Sequence, residues 1–383
     1  MGNLNYGKLK NLISTNILTV IFSLLMFVFY RNYLFEFSNA DFKEHYNLLQ
    51  QALADSKIIF PPLYYLSLYF ADIFSPSKDS YLWGAVVLSV VGVSIKFIWA
   101  ENEFLSVFEK NKSFILALAS FFYFPFILHH SWDAEWMLGN FSHQIFHNST
   151  GLLAFPFCLF LYSEGKNYLL KKQYSWFKIW SFSFCIFLIK PSFLFVFPLA
   201  LCVLSFIYKI NSPKEQKMVI YYLVGTLVLI GLSYFFIYSS QFSHYFYQTG
   251  ENNVSIGVFK SWQSYSLNPV KDFIKSFAFL ISLLIIITYK KKVDLELQFV
   301  LLMLLGSFMI FALFVEEGER VYHFNFIWQI SFVLYIFIVT IFKKIFTIKF
   351  NSIINILIFL GILLHVLSGL RVLAKLFIKG NYF

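Results

Sequence analysis

Charge is scarce in this chain, and negative charge is the scarcer sign. Of 383 residues only 13% are charged, with 20 Asp and Glu against 30 Lys and Arg. A soluble domain of this length needs a polar surface. A chain that is 59% hydrophobic, with a mean hydropathy of +0.68, lacks the residues to make one. No polar stretch is long enough for a second, soluble domain, and no internal repeat stands out. Cysteine is almost absent. Cys158, Cys185 and Cys202 fall inside apolar stretches, without a metal-ligand spacing and without a disulfide framework. A cleavable leader is not expected either, since Asn11–Phe35 is too long for a signal h-region and lacks a small-residue cleavage site.

What is present is apolar sequence in long runs. A transmembrane helix needs roughly 20 mostly apolar residues. The runs predict about eleven spans, at 12–34, 81–99, 113–129, 146–163, 176–189, 191–208, 219–238, 273–289, 296–315, 324–342 and 353–370. The expected fold is therefore all-α: a polytopic transmembrane helical bundle forming one integral membrane domain over 1–383. The formal charge of +10 then has a topological origin, because cytoplasmic loops collect Lys and Arg, and nucleic acid is not an expected partner.

With Lys8 and Lys10 placing the N-terminus inside, the connections sort into two sets. The inner set, with flanking residues, holds 18 basic and 7 acidic residues, including Lys171-Lys172, Lys290-Lys291-Lys292 and Lys343-Lys344. The outer set holds 11 basic and 13 acidic residues. Arg371, Lys375 and Lys379 run against this bias if the eleventh stretch crosses. The topology requires that 58–74 does not cross. Pro61-Pro62 suits a helix start, and the short aromatic helix after it, carrying Asp72, reads as interfacial. Residues 35–80 are then one long external loop with interfacial helices.

Four polar clusters fall on the outer side. The first is Asp41, Glu44 and His45, with Asp41 and His45 on one helical face at i, i+4; it reads either as a solvated charged loop or as a general base or metal ligand. The second is Asp133 and Glu135, each beside a tryptophan, followed by His143, His147 and Asn148. Its indoles suit a sugar or an interfacial belt, and its histidines, four apart, suit a divalent metal, phosphate or sugar hydroxyls. The third runs from Glu316 through Glu317, Arg320 and His323 to Asn325. Charges at that depth mark a site unless they pair with one another, and Arg320 has the geometry for phosphate. The fourth is Lys190, between Ile189 and Pro191, which either snorkels to the interface or meets a lipid-linked phosphate. One external cavity walled by these loops is the economical reading.

The pattern resembles the GT-C superfamily of integral membrane glycosyltransferases, closest to the branch that uses polyprenyl-phosphate sugars, which includes protein mannosyltransferases and the aminoarabinose transferases of lipid A. The resemblance rests on Asp41, with Glu44-His45-Tyr46, after the first span, and on Pro61-Pro62-Leu63-Tyr64-Tyr65 leading into an interfacial helix. It covers about the first 100 residues and then the general layout. Phe60 stands where that branch usually has a basic residue before the prolines, and no soluble C-terminal domain follows. The resemblance implies transfer of a sugar from a polyprenyl-phosphate-linked donor to a glycan, lipid or protein acceptor, with inversion, at the external face of a bacterial plasma membrane. Asp41 would be the catalytic base, and Arg320 or Lys190 would hold the leaving phosphate. The histidines would bind sugar, phosphate or a divalent metal ion. The competing expectations are a Wzy-type polysaccharide polymerase, which would use larger external loops, and a transporter or flippase of lipid-linked glycans, which would show related halves and midplane charges.

Overall fold

The computed structural model describes residues 6–37, 41–77, 81–126, 140–144, 146–210, 212–238, 253–263, 266, 268–317 and 325–380. Among them the chain is almost wholly helical: α1 (Tyr6–Glu36), α2 (Asp41–Ala54), α3 (Leu63–Asp72), α4 (Leu82–Leu105), α5 (Lys110–Phe122), α6 (Ser149–Leu169), α7 (Trp176–Ile189), α8 (Phe197–Ile207), α9 (Pro213–Tyr238), α10 (Lys260–Gln263), α11 (Pro269–Tyr289), α12 (Leu295–Leu313), α13 (Trp328–Ile345) and α14 (Ser352–Lys379). One ribbon interrupts the pattern. β1 (Val254–Ile256) pairs antiparallel with β2 (Phe314–Glu316), with Val254 opposite Glu316. Among the described residues six helical segments are long and apolar enough to cross a membrane: Ile17–Glu36, Leu82–Leu105, Pro213–Tyr238, Leu295–Leu313, Asn325–Ile345 and Ser352–Lys379. This is a helical membrane protein.

Local sequence explains where the helices begin and stop. Side-chain oxygens of Asn148, Ser175, Asn268, Asp294 and Asn351 accept N–H groups of the first turns of α6, α7, α11, α12 and α14. Pro191 ends α7, and a 3₁₀ turn over Pro191–Phe195 separates it from α8, so the stretch expected as one helix over 191–208 is split. Pro61-Pro62 precede α3 as expected, although Tyr64, Tyr65, Leu68 and Asp72 are buried where α3 packs on α4 and α7. Helix α13 forms the axis of the bundle, and all of its residues except Lys344 are buried.

The expected span at 113–129 is helical only to Phe122. Beyond it residues 123–126 continue without helix, and 140–144 and 146–148 return without helix, wedged among α4, α5, α11 and α14. Non-helical backbone in an apolar bundle must find partners inside the protein. Here side chains supply them. Gln144 donates to the carbonyls of Phe121 (3.0 Å) and Tyr123 (3.4 Å), His365 bonds the carbonyl of Phe124 (2.7 Å), and Ser368 that of Pro125 (2.7 Å). Lys96, which the charge count treats as an inner flank, is buried instead. Its ammonium donates to the His143 carbonyl (2.8 Å), lies 2.9 Å from His143 Nδ1, and sits over the rings of Phe155 and Tyr335.

At the other end of the bundle four helices meet in a charge cluster. Lys343 of α13 donates to Glu103 of α4 (3.0 Å) and Glu296 of α12 (2.7 Å). Lys166 of α6 pairs with Glu103 and lies 3.6 Å from Glu296. Two cations and two carboxylates, all largely buried, neutralise one another, and Lys344 pairs with Asp294 at the rim. Close approach also fixes α4 against α6. A Cβ on Gly92 would stand 2.4 Å from the Leu152 carbonyl in the second turn of α6.

Two substitutions test this packing. Lys343→Met strands Glu103 and Glu296 with one ammonium between them, and breaking a buried pair from one side costs about 3–5 kcal/mol. Gly92→Ala pushes α6 away from α4, an overpacking loss of about 1–3 kcal/mol. Thermal unfolding in detergent is expected to show both losses, the first larger.

Candidate functional site

The site is assembled on the first turn of α6. Asn148 caps that helix, its side-chain oxygen accepting the Gly151 N–H at 2.6 Å. Asp41, the first residue of α2, takes the Ser149 N–H on Oδ2 at 3.4 Å, and the same oxygen lies 3.4 Å from His45 Nε2. The i, i+4 placement of Asp41 and His45 on one helix face is thus realised. His45 shares a 2.7 Å hydrogen bond through Nδ1 with the Tyr65 hydroxyl, which fixes its ring between α2 and α3. Lys190 reaches the same turn from the break between α7 and the 3₁₀ segment. Its ammonium donates to Thr150 Oγ1 (3.2 Å) and Asn148 Oδ1 (3.4 Å) and sits 4.9 Å from the centre of the Trp328 ring. The His147 ring packs 5.8 Å from that same indole.

The opposite wall belongs to α9, β2 and the turn before α13. Glu316 is buried at 3% exposure and accepts from the Asn325 side chain (2.7 Å) and from the Tyr238 hydroxyl. Between the walls lies an open cavity of about 470 Å³. Its polar lining includes His45, Tyr65, Thr150, Lys190, Glu316 and Asn325, and its apolar lining comes chiefly from α9, α12 and the 3₁₀ segment, while Asp41, His147 and Asn148 stand beside it at the first turn of α6. The α9 wall runs from Tyr238 down to Leu227, a drop of about 16 Å at helical rise.

The charges around the first turn of α6 are coupled. Burial alone would raise the Asp41 carboxyl, but the neighbouring His45, which also hydrogen-bonds to it, together with His147 and Lys190, outweighs burial and lowers it to about 2. Burial lowers His147 to about 4, against the opposing pull of Asp41. It also lowers Lys190 to about 8, with Asp41 and Glu316 resisting. At neutral pH the first turn of α6 is therefore flanked by an ionised Asp41, a neutral His147 and a Lys190 that is protonated but close to its titration.

Of the residues singled out in the sequence, Asp41, His45, His147, Asn148, Lys190 and Asn325 come together here. Glu44 does not; it is exposed on α2. The expectation that His143 and His147 share a helical face is overturned, because neither 140–144 nor 146–148 is helical and His143 is held by Lys96 while His147 packs on Trp328. Glu317 is exposed, its backbone N–H bonded to the Asn253 carbonyl, and Glu316 takes the inward position instead. Asp133, Glu135, Arg320 and His323 lie outside the described residues. Among the described residues no group of three His, Cys, Asp or Glu is placed to hold a metal ion. Sequence reasoning missed Tyr65, Thr150, Trp328 and Tyr238. Only Tyr65 and Thr150 carried a local signal, lying next to the double proline and the Asn148 cap.

No family model matches the chain, and neither the curated proteins nor the solved structures compared with it give a match.

Lys190 offers a direct check on the electrostatics. Its amine is expected to become nucleophilic as pH rises through about 8, well before ordinary lysines, which titrate near 10.4. Amine-selective labelling of the detergent-solubilised protein, read by peptide mass spectrometry, should place the Lys190 midpoint there. A midpoint shared with exposed lysines would contradict the buried, cation-disfavouring site.

Proposed function

We propose that this protein is an integral membrane glycosyltransferase of the GT-C kind, moving a sugar from a polyprenyl-phosphate-linked donor to a glycan, lipid or protein acceptor. The observation that carries this reading is Lys190 lining an apolar cavity that extends about 16 Å along α9, with Asp41 bound to the same helix turn beside it. A lipid phosphate offers a charge and an apolar tail to match, and the sugar between phosphate and acceptor would lie at the mouth.

The proposed chemistry follows from the positions. The acceptor hydroxyl hydrogen-bonds to Asp41 and attacks the anomeric carbon from the face opposite the phosphate. A carboxylate lowered to about 2 is a weak base at rest. It takes the proton as the new C–O bond forms and the attacking hydroxyl turns acidic. The bond from the anomeric carbon to the phosphate oxygen breaks, and the electron pair leaves with the phosphate. Its growing charge is met by the Lys190 ammonium, which is worth most in a site that excludes water. His45, held by Tyr65, keeps Asp41 oriented.

The proposed topology has eleven spans and an inner N-terminus, with the Asp41 end facing outward from a bacterial plasma membrane and the Glu103–Lys343 cluster facing the cytoplasm. It agrees with the Lys-rich connections at 164–175, 290–295 and 343–352.

Comparing surface glycans and lipid-linked intermediates in cells with the wild type, a deletion and Asp41→Asn tests this reading. Loss of a general base costs typically 10²–10⁴-fold in rate, so Asp41→Asn should remove the same single sugar substituent that the deletion removes. Accumulated single repeat units with long chains missing would assign polymerisation instead. Unchanged glycans in both would sink the transferase reading.

A further inference from the structure

The buried residues of α9 are Val219, Tyr222, Thr226 and Ser233, and the polar ones among them differ in how they are satisfied. Tyr222 shares a 2.7 Å hydrogen bond with Ser183 of α7, and Thr226 donates to the Tyr222 carbonyl at 2.9 Å. Ser233 is only 4% exposed, yet its hydroxyl has no hydrogen-bond partner among the described residues. A serine inside a helix can satisfy itself on the carbonyl four residues back. Ser89, Ser163, Ser183, Ser276 and Ser307 all do so here, at 2.7–2.9 Å. Ser233 leaves that bond unmade and lines the cavity instead.

The packing of α7 on α9 fixes the level of Ser233 along the cavity. Trp176 donates to Glu215 (2.8 Å) and Ser183 meets Tyr222 (2.7 Å), each pair 39 residues apart. The two helices therefore run parallel and in step. Carried to the end of α7, the same register sets Lys190 beside Leu229, one turn or about 6 Å short of Ser233. Leu227 and Ile230, which flank that level, line the cavity together with Lys190. An ammonium and a hydroxyl thus face one cavity within a turn of each other, among Ile189, Phe195, Ile230 and Ile237, whose side chains offer a ligand no hydrogen bond.

Resting on the transferase reading above, we propose that Ser233 is a phosphate-binding residue of this site, its hydroxyl donating to a non-bridging oxygen of the lipid phosphate that Lys190 holds. A phosphate ester presents several acceptor oxygens, and the one ammonium is already shared with Thr150 and Asn148, so acceptors are left over. The isoprenoid tail has no polar atom and gives the hydroxyl nothing to bind. Ser233 keeps its own proton throughout. Its bond strengthens as the electron pair of the breaking bond passes to the phosphate, because a fixed donor is worth most where water is excluded. The same hydroxyl therefore holds the donor and eases departure of the leaving group, without adding charge to the site.

The probes are farnesyl phosphate and farnesol, bound to the full chain in nanodiscs at pH 7.5. Ser233→Ala should weaken farnesyl phosphate at least about tenfold, the scale of one hydrogen bond to a charged group, and change farnesol far less. Lys190→Met should also weaken farnesyl phosphate. Unchanged binding of farnesyl phosphate to Ser233→Ala, with Lys190→Met still weakening it, overturns the role of Ser233 and leaves the transferase reading standing. Equal losses for the two probes would make Ser233 a packing residue of the cavity and overturn that role likewise. Binding of farnesyl phosphate unaffected by Lys190→Met would overturn the lipid-phosphate reading itself. Should Ser233→Ala fail to fold, Ser233→Cys, which keeps the volume and exchanges a good donor for a poor one, takes its place with the same outcomes.

Discussion

A backbone N–H in an apolar bundle has no water to turn to, and the first turn of α6 is where this constraint bears hardest. Helix starts leave several N–H groups unpaired. Asn148 takes the Gly151 N–H, and Asp41 takes that of Ser149. Lys190 then answers the negative charge and the polar oxygens gathered there. The cap is thus also the candidate site, and its parts come from α2, α6 and the α7 break. Gly92 matters for the same reason, since it lets α4 approach the second turn of this helix.

Charge is handled in opposite ways at the two ends of the bundle. The Glu103–Lys166–Glu296–Lys343 cluster is balanced and closed, each ammonium held by both carboxylates, so nothing is left over for a ligand. At the Asp41 end Lys190 and Glu316 both line a cavity, and Asp41 stands beside it. Between the two ends Lys96 has no carboxylate among its bonded partners; a carbonyl, an imidazole and aromatic faces stand in for one. Its role is to tie down the non-helical segment that delivers His147 and Asn148.

Features written locally could be read from the sequence. The apolar runs, the Asn and Asp caps, the double proline before α3, the i, i+4 relation of Asp41 and His45, and the Lys190-Pro191 break all depend on neighbours within a few residues. What could not be read depends on distant partners. The spacing of His143 and His147 suggested one helical face, yet helical spacing means nothing until the segment is known to be a helix. Side chains as far away as Lys96, His365 and Ser368 are what make a non-helical path tolerable here. Likewise Glu316 and Glu317 are alike in sequence, and only pairing with Val254 decides which one turns inward. Trp328 and Tyr238 enter the site from helices whose register no local pattern fixes.

Helix α9 has a consequence for supply. It packs on α7, α8 and the 3₁₀ segment, while much of its length is uncovered, and Leu227, which lines the cavity, is 57% exposed. The cavity therefore opens sideways, toward the hydrocarbon, as well as at its mouth. On the proposed reading, a lipid carrier entering by that flank would never leave its leaflet. Its encounter rate would scale with the number of carriers per unit of membrane area, and dilution of the surrounding aqueous phase would leave that rate unchanged.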